Sequence, residues 1–474
     1  MNETHSDWQN IQPNRRFLDE MVRMKPVSVI EQNDMAEFLC GHFIKEGLAM
    51  AEIQETHSKW PLESDVMRKN VYMTLGSSPI QDHEKVETVK ETLTYYAHLD
   101  VVPPSDRYAG LKGRKANQVT KNPNVKEAHK LYGLGTEDML GGIAAIEHAA
   151  RIIKEFGVTW TGRQLRILFT FGEEAYSEGF DAAQAGDLFK TETSSHCVLT
   201  PEILVNKRLL NASYKQRAMI VGRLGLSTFT VGVNGREEHC GSVDKERKKE
   251  TTEYLERQAR QIITEELDLE LNPYPSKPDQ YTIPDPSMHI TEWHSDSKSS
   301  LTVPPRSEFL VAVHTADKSQ TPEQIVDMVR DRLRKLAAEI FPGATAEARK
   351  MREEAFSVIP NEHPVSNSQP SMEDPNNPFV TNMRNLMSQA YKESGGRQIR
   401  PRPHPGPHLG KGRGNRGKKR RGGRSMGKMT PDEIVAMIVD SGTADCPRIA
   451  NDLGIPIIGT PVTGGGSHTH LEWL

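Results

Sequence analysis

Apolar positions near the start of the chain recur every three or four residues. "NRRFLDEMVRMKPVSV" and "NDMAEFLCGHFIKEGLAMAEIQ" therefore predict two amphipathic helices, the second closing near Gly47, a residue suited to ending a helix. The period then falls to two. "NVYMTLGSS" and "ETLTYYAHLDVVPP" alternate and are rich in β-formers, so both predict strands. "LYGLGTEDMLGGIAAIEHAARIIKEFG" reads as a loop feeding a helix, with Ile143, Ile146, Ala150 and Ile153 at helical spacing. "LRILFTFGEEAYSEG" and "HCVLTPEILVN" predict two more short, buried strands. Strands alternating with helices predict an α/β unit with a mostly parallel or mixed sheet, whose ligands bind at the carboxyl ends of the strands.

From about residue 216 the texture changes. "LSTFTVGVNGREEHC" predicts an alternating strand, "KERKKETTEYLERQARQIITEEL" a long charged helix and "SEFLVAVHTA" another strand. "TPEQIVDMVRDRLRKLAAEIF" predicts a helix with Thr321 as N-cap and Pro322 at its first position. This β-α-β-α unit reads as a small α+β domain inserted into the first. The expected division is 1–215 for the first part of the main domain, 216–345 for the insertion, 346–375 for a Pro/Asn/Ser-rich return linker and 376–474 for the second part.

Composition narrows the picture. At 474 residues, with a mean hydropathy of −0.61 and no run of 18 apolar residues, the chain predicts a soluble protein rather than a membrane one. "MNETHSDWQNIQPNRRF" carries no apolar signal core, which predicts a cytoplasmic location. Four scattered cysteines without a CxxC pair argue against a disulfide framework or a thiolate zinc site. Net charge is −4, but eleven Lys/Arg and no acid crowd residues 397–424. The basic insertion, taken to residue 428, predicts a disordered surface loop, with RNA or polyanion contact as the alternative.

The candidate chemistry sits where strands end. His98 and Asp100, two apart in a buried strand, share one face. Alone they read as a satisfied core pair. Glu173 and Glu174 follow the apolar run "ILFTFG", where two unpaired buried acids would be costly. Asp138 precedes "MLGG" and could cap a helix; Glu202 ends the next strand. Carboxylates with neutral imidazoles are the donor set for zinc and its neighbours.

The order of these pieces resembles the dinuclear metallohydrolase family of aminoacylases, acetylornithine deacetylase, succinyl-diaminopimelate desuccinylase, glutamate carboxypeptidases and related dipeptidases. "HLDVVP" resembles its first ligand motif, "YGLGTEDMLGG" its Gly-x-Gly-x-x-Asp-x-x-Gly-Gly, and "FTFGEEAYSEG" its Glu-Glu motif. "VNGREEHCGS" and "SGTADCPRIANDLGIPIIGTPVTGGGSHTHLEWL" resemble the inserted domain's histidine motif and the closing motif. The resemblance implies a mixed-sheet catalytic domain and a ferredoxin-like lid or dimerisation domain. It implies two divalent ions, Zn2+ in the first place with Co2+ or Mn2+ as alternatives. His98 and Glu202 would hold one ion, Glu174 and His468 the other, with Asp138 bridging. His470 competes with His468, which lies four residues before Glu472 as the family shows. Asp100 would orient the His98 imidazole, Glu173 would be the general base on the attacking water, and His239 would bind the substrate oxyanion. The implied reaction is hydrolysis of an amide bond in an N-acyl amino acid or small peptide, with deacylase and dipeptidase both open. A homodimer through the insertion is implied in the same way. A catalytically silent relative that binds nucleic acid through the basic loop is the reading from another class.

Three departures stand out. Glu202 lies in "LTPEIL", where the family places the acid before proline. Thr302 and His314 occupy the positions where relatives carry an Asn and an Arg for the substrate's α-carboxylate. Arg223, in "VGRLG", is the candidate to hold a carboxylate instead.

Overall fold

A computed structural model describes residues 14–27, 29–58, 66–75, 89–102, 120–121, 131–158, 162–174, 177–191, 193, 195–201, 217–236, 238–239, 247–273, 275, 279, 281–295, 302–303, 305–361, 367–393, 435–440 and 445–461. The basic tract 397–424, Glu202, His468 and His470 lie outside the described residues. The chain opens with α1 (Arg15–Met24) and α2 (Val29–Lys45), then β1 (Met50–Ser58), β2 (Val66–Leu75) and β3 (Glu91–His98). A hairpin of β4 (Thr120–Lys121) and β5 (Leu131–Tyr132) leads to α3 (Leu140–Glu155), β6 (Arg163–Thr170), α4 (Glu178–Ala185) and β7 (Ser195–Thr200). Next come β8 (Arg217–Arg223), β9 (Gly225–Asn234), β10 (Glu238–His239), α5 (Thr252–Gln261), β11 (Tyr281–Thr282), β12 (Ser287–Ser295), β13 (Thr302–Val303) and β14 (Arg306–Thr315). The chain continues through α6 (Pro322–Ile340), α7 (Ala346–Glu354), β15 (Phe356–Pro360), β16 (Asn367–Ser368), β17 (Ser371–Met372) and α8 (Pro378–Glu393). It reaches β18 (Val435–Asp440), α9 (Cys446–Asp452) and β19 (Ile457–Gly459).

Among the described residues one sheet runs β1-β2-β6-β3-β7-β19-β8-β18-β11, with β17 added against β8. It is mixed: β3 pairs parallel to β6 and β7, whereas β1, β2 and β6 pair antiparallel. Helices cover both faces, as buried central strands require. On one face Phe17, Met21, Leu39, Phe43 and Ile143 pack on Ala97, Ile167 and Phe169. On the other, Phe180, Ala183, Cys446 and Ile449 pack on Tyr96, Leu168 and Val198.

A second sheet, β12-β14-β9-β15 with β16 paired to β9, is antiparallel. The inward residues of β14 alternate with outward ones along all ten positions. Phe229, Val231, Phe309 and Val311 meet Leu255, Ala259, Ile325, Val329 and Leu333 in a core of their own. The Thr321 cap forms as predicted: its side chain accepts from the Gln324 N–H, and Gln324 reaches back to the Thr321 N–H at 2.9 Å. Such a box contributes about 1 kcal/mol. The predicted long charged helix instead breaks up after Gln261 into a π turn, Ile262–Glu266, and a 3-10 turn, Leu267–Glu270. No helix among the described residues is long and apolar enough to cross a membrane.

The chain passes between the two sheets at Leu224, again between β11 and β12, and again between β16 and β17. Leu224 stands between β8 and β9 and donates its N–H to the Asp440 carbonyl at 2.8 Å. Beside it Arg223 Nη1 meets Asp440 Oδ2 at 3.2 Å, both side chains buried.

Candidate metal centre

β3 and β6 run parallel with His98 directly opposite Thr170, so both strands deliver their next residues to the same edge of the sheet. Leu99 extends the ladder by donating to the Thr170 carbonyl at 2.7 Å. Beyond β6 the chain turns at Gly172, whose φ of +68° lies in the left-handed region that glycine adopts without a Cβ clash. The buried Asn70 on β2 holds this turn from below. Its Oδ1 accepts from the Phe171 N–H at 3.2 Å and its Nδ2 donates to the Gly179 carbonyl at 2.9 Å. Glu173 and Glu174 are thereby presented at the carboxyl ends of the parallel strands.

Asp138 arrives from the opposite face. Gly135, at φ +73°, turns the loop before α3, and the Leu140 N–H closes it on the Gly135 carbonyl at 2.8 Å. The Asp138–Met139 peptide is cis. The Met139 sulfur accepts from the His98 backbone N–H at 3.3 Å, packing the loop on the end of β3.

The result is a convergence of His98, Asp138 and Glu174, each offering one ligand atom within 4.8 Å of the others. His98 Nε2 lies 3.3 Å from Asp138 Oδ1 and 3.8 Å from Glu173 Oε2. His98 is fully buried, Asp138 5% exposed and Glu173 7% exposed. Three acids around one imidazole in so dry a place repel one another and lose hydration. A divalent cation offsets both costs, so the donor set fits one by charge, chemistry and spacing.

Asp100 organises this cluster through the backbone. Its Oδ1 accepts from the Glu173 N–H at 3.1 Å and its Oδ2 from the Glu174 N–H at 3.0 Å. The His98 Nδ1–H donates to the Asp100 carbonyl at 3.0 Å, while the nearer carboxylate oxygen is 3.7 Å away. Nε2 is thus the nitrogen turned to the acids. Burial pushes the Asp100 carboxyl up, against the pull of His98 and of the Glu174 and Glu173 amides.

The remaining sequence candidates fall elsewhere. His239 and Thr302 face each other in register across the short β10–β13 ladder. His314 lies on β14, its ring 6.0 Å from that of His289. Arg223 is turned to Asp440 at the junction of the sheets. Sequence reasoning passed over Tyr96, Thr170 and Asp445, which form a buried polar contact just behind His98. Tyr96 carried a readable signal, since it shares the strand face of His98 two residues on.

Residues 94–408 match the profile of peptidase family M20/M25/M40. No curated protein matches the sequence. Among solved structures, the chain is similar to the di-peptidase Dug1p of Saccharomyces cerevisiae, at TM-score 0.64 and 13% identity over 99% of this chain and 93% of that one. Human carnosine dipeptidase 1 aligns at TM-score 0.60 and 13% identity, also over 99% and 93%. The metallo-carboxypeptidase Sso-CP2 of Sulfolobus solfataricus aligns at TM-score 0.58 and 13% identity over 96% and 93%. At such identities these likenesses speak for the fold.

Proposed function

Starting from a chain that belongs to peptidase family M20/M25/M40, we propose that it hydrolyses an amide bond of a small peptide or N-acyl amino acid at a pair of divalent cations. The observation that carries this reading is the convergence of buried His98 and Asp138 with half-buried Glu174, with Glu173 beside it. His98 with Glu202 would hold one ion and Glu174 with His468 the other, Asp138 lying between them. Bound cations supply Lewis acidity, which acidifies water and polarises the scissile carbonyl. Glu173 receives the proton of the attacking water and returns it to the leaving amine. The Glu173 backbone is fixed by the Asp100 carboxylate, so Glu173 is aimed by the same residue whose backbone carbonyl sets His98. His239, across from Thr302, would donate to the oxyanion of the tetrahedral intermediate.

The test is a panel of dipeptides and N-acyl amino acids incubated with Zn2+, Co2+ or Mn2+, with bound metal counted by elemental analysis. Wild type should carry two ions per chain and hydrolyse members of the panel. Glu173→Gln should keep its ions and lose about 10²–10⁴-fold in kcat. His98→Ala should lose bound metal. Undiminished turnover by Glu173→Gln would sink the mechanism.

A further inference from the structure

The side chains behind the cluster form a polar chain that the hydrolytic step does not use. The Tyr96 hydroxyl bonds Thr170 Oγ1 at 2.8 Å and also donates to the Asp445 carboxylate. Tyr96 is 1% exposed, Thr170 and Asp445 not at all. Thr170 is the ladder partner of His98, and Tyr96 precedes His98 by two on the same face. The contact therefore lies one residue layer beneath the imidazole.

Its far end belongs to a distant stretch of chain. Asp445 is separated from Tyr96 by 349 positions and begins α9, whose Cys446 and Ile449 pack on Tyr96, Phe180 and Phe189. From α9 the chain runs into β19, which pairs parallel to β7, and the Thr460 N–H reaches the Thr200 carbonyl at 2.7 Å. The residues that follow lead to the closing motif with His468.

A carboxylate is an expensive choice for this layer. Burial pushes the Asp445 carboxyl up to about 6, against the pull of Ser177, Tyr96, Arg448 and His98. A phenylalanine with an apolar partner would fill the same space without that cost. What the polar pair adds is direction, since a hydroxyl shared by a threonine and a carboxylate fixes one angle of approach.

We propose that Tyr96 and Asp445 are positioning residues of the cation centre, joining the strand that carries His98 to the segment that leads to His468. The proposal rests on the two-cation reading above. Removing the hydroxyl lets the closing segment shift against β3, loosening the ligand set without changing any ligand.

The experiment uses the full chain, stripped by a chelator and titrated with Zn2+ against a fluorescent indicator. Co2+ absorption reports the ligand field. Tyr96→Phe and Asp445→Ala should each weaken Zn2+ binding about tenfold, in the range seen when the partners of ligand residues are removed. Both should alter the Co2+ spectrum. Because the two act through one bond, the double variant should lose no more than either single one. Wild-type affinity and spectrum in both variants would overturn the proposal, as would losses that add. Should Asp445→Ala not fold, Tyr96→Phe carries the test alone, since it deletes one atom from an unchanged ring. A wild-type chain that takes up no Zn2+ overturns the parent reading instead. A wild type that loads beside variants that load equally overturns only this one.

Discussion

Asp100 spends its side chain on the two amides of Glu173 and Glu174 and its carbonyl on His98, so a single residue aligns both halves of the cluster. Asp100→Ala should leave two buried N–H groups unpaired and weaken Zn2+ binding by about 10–100-fold, read by indicator competition. The His-x-Asp spacing was readable because strand side chains alternate. The two amide contacts were not, since their donors stand 73 and 74 positions away. Another residue sets a pH response. His196 on β7 bonds Thr94 Oγ1 at 2.9 Å, and burial with the nearby Arg166 pushes its pKa down to about 4. The unfolded chain therefore takes up a proton near pH 6.5 that the folded chain refuses until pH 4. That contribution to stability is complete above pH 6.5 and is lost as pH falls toward 4. In thermal melts across this window, His196→Gln should flatten the decline relative to wild type.

The helices with a one-sided apolar stripe announce themselves: α1 buries Phe17, Leu18, Met21 and Val22, and α3 buries Ile143, Ile146 and Ala150. By contrast, α7 buries none of its residues, so its sequence, AEARKMREE, carries no stripe to find. β8, RAMIVGR, is a continuous apolar run too short to separate from a helical fragment by period. β12 was missed because in SMHITEWHS the alternation of Met288 and Ile290 breaks where the register shifts between Ile290 and Glu292. The α4–β6 contact is a feature only three dimensions reveal. A β-carbon on Gly179 would collide with the backbone oxygen and nitrogen of Phe171 and lie 3.0 Å from Asn70 Oδ1. Gly179→Ala should push α4 off the turn that presents Glu173, costing about 1–3 kcal/mol in urea unfolding.

The mixed α/β fold with a second, antiparallel sheet was legible from the alternation of periods, and the family from the order of its motifs. Which residues meet was implied only by the family resemblance, because from the pattern alone the convergence of positions 98, 138 and 174 depends on how the strands are ordered in the sheet. The two sheets carry separate cores joined by short crossings such as Leu224, so cation binding should reinforce them unequally. Zn2+ at about 100 times its Kd adds about 2.7 kcal/mol to the unit that binds it. Calorimetry with and without chelator should show one transition move up with Zn2+ while the other stays; a rigid shift of both would mean that the units melt together.

β19 fits between β7 and β8, and among the described residues no other strand bridges them. On the ribosome, then, β7 and β8 emerge more than two hundred residues before the piece that zips their two halves of the sheet. Throughout that interval each half keeps a bare hydrogen-bonding margin, open to a neighbouring nascent chain or to a chaperone. Translation stalled short of Ile457 would leave both margins uncapped, making the yield of native protein sensitive to elongation through β19.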